Sequence, residues 1–179
     1  MSLSMSSASL PVFRLSLDHL RHIVQKGIDD AQARGYAPQV LMQARLAPDM
    51  LPFSRQVTVA CDVAKIWGHR MLELEPPTYP NDETTLEQLQ ARIDQTLAWL
   101  ATIPADVLDG AEERDITMPA GNGRTQTLRG EDYLKHWAIP NLFFHITTAY
   151  AILRHNGVPL GKRDFLYGPD APWVSASTK

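Results

Sequence analysis

The sequence predicts an all-α fold, a four-helix bundle with one small β-hairpin between its third and fourth helices. Three observations predict it. Apolar residues recur at three-and-four spacing over four long segments, which keeps one stripe on one helix face. Proline or glycine punctuates the gaps between those segments. Residues 114–130 break the helical period and carry β-prone residues around a glycine-rich centre.

The first segment places Leu10, Phe13, Leu17, Leu20, Val24, Ile28 and Ala31 on one stripe. Pro11 suits a first turn, and Gly35 suits the left-handed conformation of a helix end. Residues 36–53 are mixed: Val40, Leu41 and Met42 suggest a short turn that Pro48 and Pro52 interrupt. Ser54 then reads as the N-cap of a second helix running to about Leu74. Its stripe is Val57, Ala60, Ala64, Trp67, Met71 and Leu74, widened by Val59, Val63 and Ile66, so it is buried on much of its circumference. Pro76, Pro77 and Pro80 form a loop, and Asn81 or Asp82 can cap the third helix. There Leu86, Leu89, Ile93, Leu97 and Leu100 face inward, while Glu87, Gln88, Gln90, Arg92 and Asp94 read as solvated surface. Pro104 ends it. Asp115–Met118 and Thr125–Leu128 flank Gly121-Asn122-Gly123, which supplies the positive φ angles of a tight hairpin. A fourth helix is expected over roughly residues 131–156, closed by Asn156-Gly157.

The chain has 179 residues, 44% hydrophobic and 21% charged, enough for one domain over residues 1–179 with its own core. A formal charge of −3 argues against a nucleic-acid binder, which needs a concentrated excess of Lys and Arg. The single Cys excludes an intramolecular disulfide and a cysteine-rich zinc site. No apolar run approaches the roughly 20 residues that span a bilayer, and the opening MSLSMSSASL lacks the basic start of a secretory signal. A cytoplasmic protein with no membrane or nucleic-acid partner is expected.

Candidate function lies where polar residues fall on an inward stripe. At 100° per residue, Asn141 and His145 lie within about 20° of Leu134 on the fourth helix, stacked four residues apart. Pro140 should kink that helix beside them. On the second helix Gln56 lies near the centre of the apolar face, with Cys61 and Asp62 toward its margins. The inward polar set is therefore Gln56, Asn141 and His145, with Cys61 or Asp62 as neighbours. The plain alternative is a self-satisfied buried polar cluster. His19 and His22 read as a solvated face, and His155 as a cation at a helix C-terminus. Trp67, Trp99 and Trp137 fit the core, and Trp173 lies in a proline-containing tail. Phosphate loops, His-Glu-x-x-His and Gly-x-Ser-x-Gly signatures are absent from the sequence.

The segments Pro140-Asn141-Leu142-Phe143-Phe144-His145, Ala149–Gly157, Ala44–Met50 and Gly161–Leu166 together resemble an uncharacterised bacterial family within the DinB/YfiT-like superfamily of metalloenzymes. The resemblance implies a DinB/YfiT-like four-helix bundle, commonly a homodimer. Many members hold a divalent metal through one histidine on helix two and a His-x-x-x-His pair on helix four. In that register His145 stands at the second position of the pair, Asn141 at the first, and Gln56, with Cys61 and Asp62 as rivals, nearest the helix-two position. His145 is thus the one metal ligand carried over, and an amide is a poor transition-metal donor. Two readings follow. One is a metal-poor relative of thiol-dependent transferases or hydrolases acting on a small molecule. The other is a non-catalytic, ligand-binding or stress-associated dimer.

Overall fold

Ser4 starts the first helix: its hydroxyl accepts the Ser7 N–H at 3.3 Å, so α1 spans Met5–Arg34. The computed structural model describes residues 4–104 and 106–169. The helix begins five residues before the apolar stripe does, because Ser6 and Ser9 are buried where apolar side chains are expected. Ser9 donates to the Met5 carbonyl at 2.6 Å, which satisfies its hydroxyl inside the helix. Pro11 consequently lies within the helix rather than in its first turn, on an exposed position where the freed carbonyl can meet water. Gly35 ends α1 as expected, at φ 74°.

A 3-10 turn, Pro38–Gln43, tucks in Leu41 and Met42. Next, α2 spans Phe53–Met71, shorter than the sequence suggests. Pro52 takes the N-cap position and Ser54 is buried in the first turn, so Ser54 is not the cap. Leu74 falls beyond the end of α2 and is exposed. The third helix, α3 (Leu86–Ala101), is capped by Thr85, not by Asn81 or Asp82. Gln88 supplies the reciprocal half of a capping box, its side-chain oxygen accepting the Thr85 N–H at 3.1 Å. Strands β1 (Asp115–Pro119) and β2 (Thr125–Arg129) pair antiparallel, Thr117 opposite Thr127, around the expected glycine turn with Asn122 at φ 50°.

The helix expected over 131–156 is assembled from three pieces: a single turn α4 (Gly130–Asp132), a π-helical stretch Tyr133–Ala138, and α5 (Ile139–His155). Gly130 admits no side chain, since a Cβ there would stand 2.0 Å from the Ala111 carbonyl oxygen. The expected kink takes the form of the π stretch, in which Ile139 N–H bonds to the Leu134 carbonyl, five residues back. Pro140 removes the N–H an α-turn would offer to the His136 carbonyl and crowds that oxygen, so the turn just upstream widens.

A short helix α6 (Lys162–Tyr167) folds back on α1. This overturns the solvated reading of His19 and His22. His19 is 4% exposed and donates from Nδ1 to the Phe165 carbonyl at 2.9 Å, while His22 and Lys26 both meet Asp164 Oδ1, at 3.0 and 2.9 Å. Asp164 Oδ2 also accepts the Gly161 N–H at 2.7 Å.

The fold is mostly helical with a small two-stranded sheet. The core joins Phe13, Leu17 and Leu20 of α1 with Val57, Ala60, Ala64 and Trp67 of α2, Leu89 and Ile93 of α3, and Leu142, Ala149 and Ile152 of α5. Trp67 is fully buried against Phe13, with ring centroids 4.4 Å apart; Trp99 and Trp137 are half-buried. Trp173 lies outside the described residues. Among the described residues no helix is long and apolar enough to cross a membrane.

Candidate functional site

The two polar faces of α2 meet different neighbours. Its most extensive packing is against α5, and there Gln56 and His145 touch. Gln56 is 1% exposed and His145 8%. Gln56 Nε2 donates to the Leu51 carbonyl at 3.0 Å. That carbonyl can only accept, so the Gln56 amide must present its NH2 group to Leu51 and its oxygen to His145. The 2.7 Å contact between Gln56 Oε1 and His145 Nδ1 is therefore donated by the imidazole. One backbone carbonyl thus dictates the tautomer: the proton sits on Nδ1 and the lone pair on Nε2.

The imidazole is kept neutral by its surroundings. Burial pushes the His145 pKa below 6.5, and the nearby Arg55 guanidinium pushes it further down. Phe144 meets the ring edge-on at 5.2 Å and is itself 55% exposed, which puts this corner of the seam at the surface. Asn141 is half-buried one helical turn before His145, on the same side of α5. Thr148, one turn after, is turned to its own helix, donating to the Phe144 carbonyl at 2.7 Å.

Cys61 and Asp62 belong to the other face of α2, toward α3. Asp62 accepts from Arg92 Nη2 at 2.6 Å, and Glu83 lies 3.4 Å from Arg92 Nη1. Arg92 is 6% exposed, so the expectation of a solvated Arg92 is overturned; two carboxylates and the Tyr79 ring, 4.3 Å from its guanidinium, cover it. Lys65 is also buried here, with Nζ 4.1 Å from the centre of the same ring. Cys61 is fully enclosed, and burial raises its thiol pKa to about 12, so it is a packed thiol and not a nucleophile. Of the residues singled out from the sequence, the structure brings Gln56 to His145 and leaves Cys61 and Asp62 on the far side of the helix.

Arg55 was missing from that set. It precedes Gln56, and its Nη1 donates to Thr58 Oγ1 at 2.9 Å. An Arg with Thr three residues later, flanking an inward Gln, is a signal the sequence contains, but arginines on helix margins are common and nothing in the spacing separates this one.

The donor set does not fit a transition metal. Both ends of the Gln56 amide are already engaged, Asn141 is an amide, and only one imidazole is present. Among the described residues no group of three or more His, Cys, Asp or Glu side chains is placed to hold an ion.

The comparisons with known proteins agree with this architecture. The family model described as "Domain of unknown function (DUF1993)" matches residues 5–166. The chain belongs to that family. A DinB family member protein from Shewanella denitrificans, solved by crystallography, is 35% identical and superposes with a TM-score of 0.85, covering 96% of this chain and 95% of that one. No curated protein matches. This DUF1993 chain is therefore DinB-like in fold.

Proposed function

We propose that the α2–α5 seam of this DUF1993 protein is a metal-independent binding site for a small organic molecule, with His145 Nε2 accepting a hydrogen bond from the ligand. The observation that carries the proposal is the chain Leu51 carbonyl, Gln56 amide, His145 Nδ1, which leaves the outer ring nitrogen as a lone pair of known orientation. A neutral imidazole held by a second polar group has the arrangement of a general base, and this keeps a transferase- or hydrolase-type proton abstraction within the chemistry of the site. Asn141 adds an amide that can donate and accept on the same side. The four long helices are read as a bundle of the DinB type in which the helix-two and helix-four polar positions have been kept and the metal chemistry lost.

Two measurements test this. Nitrogen-15 spectra of the histidine rings at pH 7 should show His145 neutral with Nδ1 protonated; an Nε2-protonated ring overturns the tautomer argument. Protein purified without a metal-affinity tag should retain less than about a tenth of an equivalent of zinc or nickel after dialysis against the free ion. Stoichiometric retention that His145→Ala abolishes would overturn the metal-free reading.

A second reading is favoured by exposed apolar side chains. Leu51 and Phe144 are exposed beside the site. A second copy of the chain covering them would make a homodimer with the site at its edge. Light scattering in the tens of micromolar decides it: a dimer supports this reading, and a monomer removes it.

A further inference from the structure

We propose that the far end of α2 holds a second site, which takes a basic amino acid, its carboxylate set on Arg70 and its cationic groups on Glu73 and Glu75. An open cavity of about 480 Å³ lies there between the residues that close α2 and strand β1. Arg70, Glu73, Leu74 and Glu75 line one side, and Asp115 and Ile116 the other. The site is separate from the α2–α5 seam: Gln56 stands in the first turn of α2 and Arg70 in the last, and no residue of the seam lines the cavity.

The end of α2 is a helix cap filled by residues that caps disfavour. Glu73 N–H bonds to the Arg70 carbonyl at 3.1 Å and Leu74 N–H to the His69 carbonyl at 2.8 Å, the paired bonds of a Schellman motif. The motif holds Glu73 in the left-handed region at φ 58°, where glycine sits without a steric penalty. Leu74 has the position that ordinarily packs back on the helix, yet it is 52% exposed. Glu73 and Glu75 also follow the negative end of the helix, which favours cations. Each departure works against the cap, and the three side chains concerned all line the cavity. Strain kept at such a place points to a role for the side chain that carries it.

Arg70 supplies the opposite charge. Its Nη1 donates to the hydroxyl of the fully buried Tyr133 at 2.9 Å and meets the Met118 sulfur at 3.9 Å. The guanidinium is thereby oriented, while its Nε and Nη2 have no hydrogen-bond partner among the described residues. Asp115 is taken by Arg129 at 3.1 Å. Arg70, Glu73 and Glu75 are in no ion pair among the described residues.

These three charges define the guest. A diamine would set a cation against Arg70, and a dicarboxylate would set an anion against the glutamates. A molecule with one carboxylate and two cationic groups answers all three, its carboxylate on the planar fork of the guanidinium. An aliphatic stem joins those groups along Leu74 and Ile116, as lysine stems cover apolar surface in folded proteins. A metal ion is a poorer guest: among the described residues no three His, Cys, Asp or Glu side chains are gathered to hold one.

The test is titration of the full-length protein with L-lysine, read from the backbone amide resonances. Norleucine, which lacks the side-chain ammonium, and cadaverine, which lacks the carboxylate, are the comparisons. Lysine should shift the amides of Glu73, Leu74, Asp115 and Thr117, and the two comparison compounds should bind about tenfold more weakly. Glu75→Gln, at an exposed position, should weaken lysine about threefold and leave Tm unchanged. Glu73→Gly is the decisive variant. It should raise Tm by about 3 °C by relieving the left-handed strain, and weaken lysine about fivefold. A raised Tm with lysine binding unchanged would show Glu73 to be a cap residue alone and overturn the proposal. Norleucine or cadaverine binding as tightly as lysine overturns it as well, and so does lysine leaving these amides unmoved at tens of millimolar.

Discussion

Helix α2 carries polar groups on two faces, and the fold treats them in opposite ways. Toward α3, Asp62, Glu83 and Arg92 neutralise one another under the Tyr79 ring, with Lys65 packed on the same ring. The two carboxylates there are answered from within the protein, while among the described residues Arg92 Nε has no partner and the Lys65 ammonium meets only the Tyr79 ring. Toward α5, Gln56 and His145 satisfy only the Nδ1 side of the imidazole, and the half-buried Asn141 lies one turn away on the same side of α5 with no hydrogen bond of its own among the described residues. Buried polar clusters that serve stability are closed, because an unmatched group in low dielectric is costly. A cluster left open at its solvent end fits a site for something else, and that contrast carries the functional reading.

The largest expected effect breaks the closed face. Arg92→Met should lower the unfolding free energy in urea by about 3 kcal/mol, because it strands Asp62 and Glu83, both largely buried, without their cation. A change below about 1 kcal/mol would mean the α3 face is not a stabilising cluster, and the comparison would lose its reference.

The α1–α6 contact offers a second closed cluster. Burial works to raise the Asp164 pKa, but the hydrogen bonds from Lys26, the Gly161 N–H and His22 together hold it down at about 2, from an ordinary 3.8. A carboxyl depressed by folding contributes stability that is complete above the unfolded value and is lost as pH falls through the folded one. Unfolding measured between pH 5 and pH 2 should therefore lose about 2 kcal/mol in the lower part of that window. Asp164→Asn should abolish that loss, and an unchanged acid limb would remove the cluster.

On the open face, Gln56→Leu should cost about 1 kcal/mol by leaving Nδ1–H unpaired, and should release the ring to populate both tautomers. The His145 pKa lies below 6.5 in the folded state, so the native protein binds fewer protons than the unfolded chain just below that pH. Stability is then complete above pH 6.5 and declines as pH falls below it. His145→Gln should flatten this slope without erasing it, because burial depresses His19 in the same direction. The smallest expected effect sharpens the comparison most. Arg55→Gln should change stability by less than about 0.5 kcal/mol, since its hydrogen bond is local to one turn. A loss comparable to that of Arg92→Met would show Arg55 to be structural.

The helices, the hairpin and the inward placement of Gln56 and His145 were legible in the sequence. Each follows from local periodicity: the three-and-four stripe, the Gly121-Asn122-Gly123 turn, the four-residue step from Asn141 to His145. Helix starts were less legible. Ser54 and Asp82 have the right chemistry for caps, but Pro52 and Thr85 take those positions. Cap choice depends on where the preceding loop enters, and periodicity does not carry that information.

Tertiary structure decided the rest. Arg92 and His19 read as solvent-facing because each sits among charged neighbours in its own helix; they are buried because a loop and a distant short helix fold over them. Likewise the sequence contains His145 and Gln56, but only the Leu51 carbonyl, supplied by the approach to α2, determines which nitrogen keeps its lone pair. The physical reason is one of range. Helix phase is set by neighbours three or four residues away, whereas burial and proton position depend on groups tens to more than a hundred residues distant along the chain.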